Sequence, residues 1–136
     1  MLSRVGLLLM SLVMVMLGGA IGSALRYLVS QWLPTAAGTL PLSTLLVNAI
    51  GSGLLGALTV LTSRYTMLST ELTLLLGVGL CGGFTTFSTV TVEALLLAEN
   101  DRLGLGVLYA LLSLVLGVLA ALAGASVTKA IMNASA

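Results

Sequence analysis

Few side chains in this sequence could do chemistry, so the ones that could are conspicuous. Asn48 lies in the apolar run "LPLSTLLVNAIGSGLLG", Arg26 closes "GGAIGSALRY", and Glu93 ends "CGGFTTFSTVTVE". Residues 81–93 hold two glycines, two phenylalanines and five hydroxyl side chains. An amide carries two N–H donors and needs partners in an apolar setting, so Asn48 either glues helices together or faces something wet. Arg26 and Glu93 either snorkel or pair at an interface, or Arg26 draws anions to the mouth of an aqueous vestibule. No bond-making chemistry is expected. Histidine is absent, no acid–base pair or metal cluster is visible, and no nucleotide-binding motif occurs.

The elements that position these groups are legible from composition. Of 136 residues 59% are hydrophobic, and only five basic and four acidic side chains occur. A soluble domain carries roughly a quarter charged residues. Uncharged windows at 5–25, 72–92 and 103–128, and a longer one at 27–63 whose apolar part follows Pro41, each meet the about 20 residues a membrane-spanning helix needs. The sequence predicts an all-α membrane protein, residues 1–136 forming one domain of four helices at about 5–32, 41–63, 72–98 and 103–128. Pro34, Thr35, Gly38 and Thr39 mark the first link, Arg64 to Glu71 the second, and "ENDR" at 99–102 the third. The first apolar stretch runs past the length of a secretory signal. Cys81 is the lone cysteine, so no internal disulfide forms.

Alternating helices put Arg4, Arg64 and Lys129 on one side and Arg26 and Arg102 on the other. Loop cations normally fix orientation; a near-tie leaves open either one weakly biased orientation or insertion both ways. Two oppositely inserted copies would supply the inverted symmetry that larger transporters carry in one chain.

Small residues at helical spacing mark surfaces where helices approach closely. They are Gly18 and Gly22 with Gly19, Ser23 and Tyr27 beside them, Asn48–Ser52–Gly56, and Tyr109–Ser113–Gly117. Within 81–93, Gly82-Gly83 is expected to break the third helix, which membranes tolerate only where backbone is buried or lines a cavity. Broken ends expose carbonyls that can bind a small cation. Phe87 and Val90 then share a face, beside Thr91, with Thr85, Ser88 and Thr89 on a neighbouring one. Those hydroxyls either line something polar or bond back to their own helix.

These three stretches, in this order, resemble the Fluc/CrcB family of fluoride channels across all four helices. The resemblance implies an antiparallel, dual-topology dimer in the lipid bilayer, either a homodimer or a heterodimer of related subunits. It also implies a structural sodium ion at the dimer centre, held by the backbone carbonyls of Gly82 and Thr85. Two pores would carry fluoride past Phe87 and Asn48. Thr44, Ser88 and Thr91 would form a hydroxyl track toward Glu93, Tyr109 and Ser113 would be pore positions, and Arg26 the vestibule arginine. Localisation would be multi-pass in the bacterial inner or plasma membrane, with no enzymatic activity and no nucleic-acid partner. The sequence departs from the family at Val90, where "TTFSTF" leads one to expect a second phenylalanine, and Phe84 is also unusual. Two alternatives accompany this reading: a non-conducting partner subunit of a heterodimeric channel, and a small dual-topology proton-coupled cation exporter. The exporter would want an embedded carboxylate, and Glu93 is the only acid near a span centre.

Overall fold

A computed structural model describes residues 2–64 and 68–135, with side chains from residue 4 onward. Among them the chain is entirely helical and contains four segments long and apolar enough to cross a membrane. Helix α1 spans Leu2–Trp32 and α2 spans Leu42–Ser63. The third crossing has two parts. Helix α3, residues 70–84, begins as α-helix at Thr70–Thr73, widens to π-helix over Leu74–Cys81 and returns to α-helix at Gly82–Phe84. Helix α4 spans Phe87–Glu99, and α5 spans Leu103–Ala134. Of the expected link Arg64–Glu71, residues 65–67 lie outside the described residues.

Two expectations need correction. Gly82 and Gly83 stay helical, and the extended residues are Thr85 (φ −81°, ψ 158°) and Thr86 (φ −154°, ψ 121°). Helix α1 packs on Gly83, where a Cβ would sit 2.6 Å from the Gly19 carbonyl oxygen. The fourth crossing also continues past 128 through Lys129 to Ala134, since a lone lysine at a helix end can snorkel and does not stop it. At 1.5 Å per residue α1 and α5 are about 46 and 48 Å long, against a hydrocarbon core of about 30 Å. They must tilt or project beyond it.

Packing follows the small-residue stripes. Helix α1 lies on α3, and α5 lies on α2 and α4. A Cβ at Gly18 would sit 2.1 Å from the Leu75 carbonyl oxygen, and one at Gly22 would sit 2.2 Å from that of Leu80. The two backbones therefore touch, and only glycine fits. A stripe from each of α2 and α5 also meets across their contact, with Ser52 Oγ 3.5 Å from a Cβ placed at Gly117. The buried apolar cluster of Leu45, Val90, Leu97 and Tyr109 ties α2, α4 and α5 together toward the Glu93 end.

The α1–α3 contact yields a test. Gly22→Ala forces Cβ into backbone and is expected to cost about 1–3 kcal/mol as an overpacked site. Gly6→Ala, where nothing lies within 4 Å, should fall within about 0.5 kcal/mol of the parent. Reversible unfolding in micelles or bicelles compares the two.

Candidate functional site

The Thr85 N–H still donates to the Cys81 carbonyl at 2.9 Å, but the extended Thr86 takes its backbone groups out of the helical ladder in the middle of a membrane crossing, where each unsatisfied group is costly. Asn48 answers this. The Thr86 N–H donates to Asn48 Oδ1 (2.7 Å), and Asn48 Nδ2 donates to the Thr86 carbonyl (3.0 Å). The amide thus pairs with both backbone groups of one residue, as a neighbouring strand would. Thr86 also starts α4: its Oγ1 accepts from the Thr89 N–H at 3.2 Å, the standard hydroxyl cap. The same oxygen lies 3.2 Å from Ser88 Oγ and 3.0 Å from Thr89 Oγ1.

Two cavities meet at Thr86. One is an apolar-walled crevice of about 500 Å³, whose lining includes Asn48, Ser52, Phe87, Val90, Thr91 and Ser113. The other is a polar chamber of about 470 Å³, whose lining includes Arg26, Ser43, Thr44, Thr89 and Glu93. Phe87 is 80% exposed and stands at the open side of the crevice, whereas Val90 is 5% exposed and belongs to its inner wall. Phe84 does not reach the crevice. It is buried against α2, with its Cδ1 3.3 Å from where a Cβ of Gly51 would be, so it does not stand in for a second ring beside Phe87.

Each oxygen of Glu93 accepts from a neutral donor. Thr44 Oγ1 donates to Oε1 at 2.9 Å, and the Tyr109 hydroxyl donates to Oε2 at 2.5 Å. Tyr109 is wholly buried beneath this contact. Arg26 is turned toward the end of α3, its Nε donating to the Gly83 carbonyl at 3.2 Å. A cation suits that place, since the last carbonyls of a helix carry partial negative charge.

The expected site residues therefore fall into groups. Asn48, Phe87, Val90, Thr91 and Ser113 share the crevice, while Arg26, Thr44 and Glu93 share the chamber. Tyr109 supports Glu93 from behind. Several hydroxyls bond back to their own helix: Thr91 Oγ1 donates to the Phe87 and Ser88 carbonyls, Ser113 Oγ to Tyr109, and Thr85 Oγ1 to Cys81. Thr86 was not singled out from the sequence, although a threonine three residues before Thr89 is a legible cap signal.

The protein-family comparison matches residues 13–125 to a family described as "CrcB-like protein, Camphor Resistance (CrcB)". That is most of the chain. It belongs to the CrcB family. Similar members include proteins named "Fluoride-specific ion channel FluC". One from Thermus thermophilus is 48% identical over 112 residues, covering 82% of this chain and 87% of the relative. One from Oceanobacillus iheyensis is 45% identical over 108 residues, covering 79% and 83%. A third, from Agrobacterium fabrum, is 44% identical over 117 residues, covering 85% and 94%. As a CrcB-family chain with four apolar crossings, this is a multi-pass membrane protein.

A hydrogen bond to a charged group is worth about 1.5–3 kcal/mol, so Tyr109→Phe should lose about that much stability. A double-mutant cycle with Glu93→Gln should return a coupling of about 0.5–3 kcal/mol. Zero coupling would mean that the tyrosine and the carboxylate do not hold one another.

Proposed function

We propose that this chain is a passive fluoride channel that lets cytoplasmic fluoride leave the cell. The observation that carries the reading is the match over more than four-fifths of the chain to a relative named as fluoride-specific, at 48% identity. The crevice fits such an ion. Fluoride is small and strongly hydrated, so dehydrating it needs concentrated hydrogen-bond donors that bind weakly enough to release it. Asn48 spends one Nδ2 proton on Thr86 and, having two, keeps another. Thr86 lines the crevice, and its Oγ1 lies 3.2 Å from Ser88 Oγ and 3.0 Å from Thr89 Oγ1, so the three hydroxyls can re-aim their protons without moving the backbone. The edge of an aromatic ring is its positive part, and Phe87 at the open side can present one. Arg26 in the adjoining chamber adds positive charge beside the route rather than on it.

The open crevice and a ring 80% exposed at membrane depth support a second copy completing the pathway. An antiparallel homodimer is the simplest arrangement, and a heterodimer with a related subunit would serve equally. A sodium ion would be held there by the carbonyls of Gly82 and Thr85. In an unbroken helix those carbonyls accept from the amides of Thr86 and Thr89. Both amides donate to side chains instead, so two hard oxygen ligands lack their helical donors. The ion would supply fixed positive potential at the centre. The setting is the bacterial inner or plasma membrane. Neutral HF enters from acid surroundings and dissociates inside, and the membrane potential drives the anion outward with about 2.3 kcal/mol per 100 mV.

The purified chain, reconstituted into potassium-loaded liposomes, should release fluoride rapidly when a potassium ionophore is added, and release negligible chloride. A well-folded dimer that releases neither would assign the chain to the partner-subunit reading, in which the single ring per pathway left by Val90 does not suffice.

A further inference from the structure

The polar chamber is not the only space that reaches Glu93. A separate cavity of about 390 Å³ lies on its other side, walled by Glu93, Leu96, Leu97 and Asn100 of the α4 end and, opposite them, by residues 35–39 and Pro41 of the link between α1 and α2. Thr35 and Glu93 line both spaces, so this link and this carboxylate together form the partition between them. The link is tied down lightly. Among the described residues its hydrogen bonds are local, with the Thr39 N–H and Oγ1 both donating to the Ala36 carbonyl. Leu40 packs on the buried cluster and so anchors its far end.

One contact holds the middle. Gly38 has φ +73°, a conformation that favours glycine. The Arg102 side chain lies against its bare face, with Nε 3.4 Å and Cδ 3.6 Å from where a Cβ would be. Arg102 is fixed from behind. The tight turn after α4, with Asp101 at φ 58°, leads its N–H to the Leu97 carbonyl at 2.9 Å. Leu97 is 3% exposed and lines the same cavity. The turn between the third and fourth crossings therefore clasps the link between the first and second, directly over Glu93.

We propose that residues 34–41 are a strap that narrows the aqueous mouth beside Glu93 and shields Leu97, and that Arg102, packed on Gly38, is the positioning residue that holds it in place. Because the link supplies one wall of the cavity, outward movement of it exposes the buried Leu97 to water. The effect on fluoride passage rests on the channel reading; the strap itself does not.

The test is therefore accessibility. In a Cys81→Ser background, Leu97→Cys and, separately, Ser43→Cys report the two spaces, since both positions are buried and line them. Labelling of the reconstituted chain by a membrane-impermeant thiol reagent should be slow. Adding Arg102→Ala should speed it about tenfold or more, the scale of a released local opening. Arg102→Lys, which keeps a long stem over Gly38, should stay near the parent rate. Gly38→Ala perturbs the same contact from the other side and should also speed labelling. Rates within about twofold of the parent for both Arg102→Ala and Gly38→Ala would overturn the proposal. Fluoride efflux measured on the same samples separates the two readings. Fast labelling without fluoride release in any variant upholds the strap and counts against the channel, while unchanged labelling with normal release does the reverse.

Discussion

The arrangement depends on one side-chain amide. Asn48 satisfies the N–H and the carbonyl of Thr86 at once, and without it the extended pair Thr85–Thr86 would leave bare backbone at membrane depth. Water cannot make up that loss in the hydrocarbon region. The pairing also fixes direction, because it sets where α4 begins and so places Phe87 outward and Val90 inward. Thr86 Oγ1 completes the restart by capping α4. An asparagine on α2 thus determines the course of the third crossing.

Neutral donors do most of the electrostatic work around this point. Glu93 is held by two hydroxyls rather than by a cation, and Arg26 faces a helix-end carbonyl rather than the carboxylate. The two charges do not neutralise one another, and both line the chamber. For a channel this matters, since a fixed unpaired cation on the route would trap an anion, whereas rotatable hydroxyls release it. The close backbone contacts at Gly18 and Gly22 hold α1 against α3, so the end of α3 that meets Arg26 is set by packing.

Much of this could be read in the sequence. Long apolar windows announced four crossings because a bilayer demands length and apolarity together. Small-residue spacing marked stripes where helices approach closely, though not which helices meet there, and the crevice lining includes Asn48, Thr85, Phe87, Val90, Thr91 and Ser113, all named from the sequence. The interruption was misplaced because glycine propensity is a local signal. Gly83 is packed against α1 within the helix, and a tertiary partner 38 residues away captures Thr86 instead. Phe84 was left ambiguous because its burial depends on the bare face of Gly51, which no spacing within 81–93 encodes. The clasp of Arg102 on Gly38 was out of reach for the same reason, since it joins two links distant in sequence.

The most direct measurement is amide hydrogen exchange at Thr86 in the reconstituted chain, compared between the parent and Asn48→Ala. If Asn48 holds the interruption, the Thr86 amide is protected in the parent and loses about 1–3 kcal/mol of protection, roughly a 5- to 150-fold faster exchange, in the variant. The Gly106 amide, bonded to the Arg102 carbonyl away from this point, should keep its rate. Equal exchange at Thr86 in both proteins would contradict the account, because the backbone at the interruption would then be satisfied by something other than Asn48.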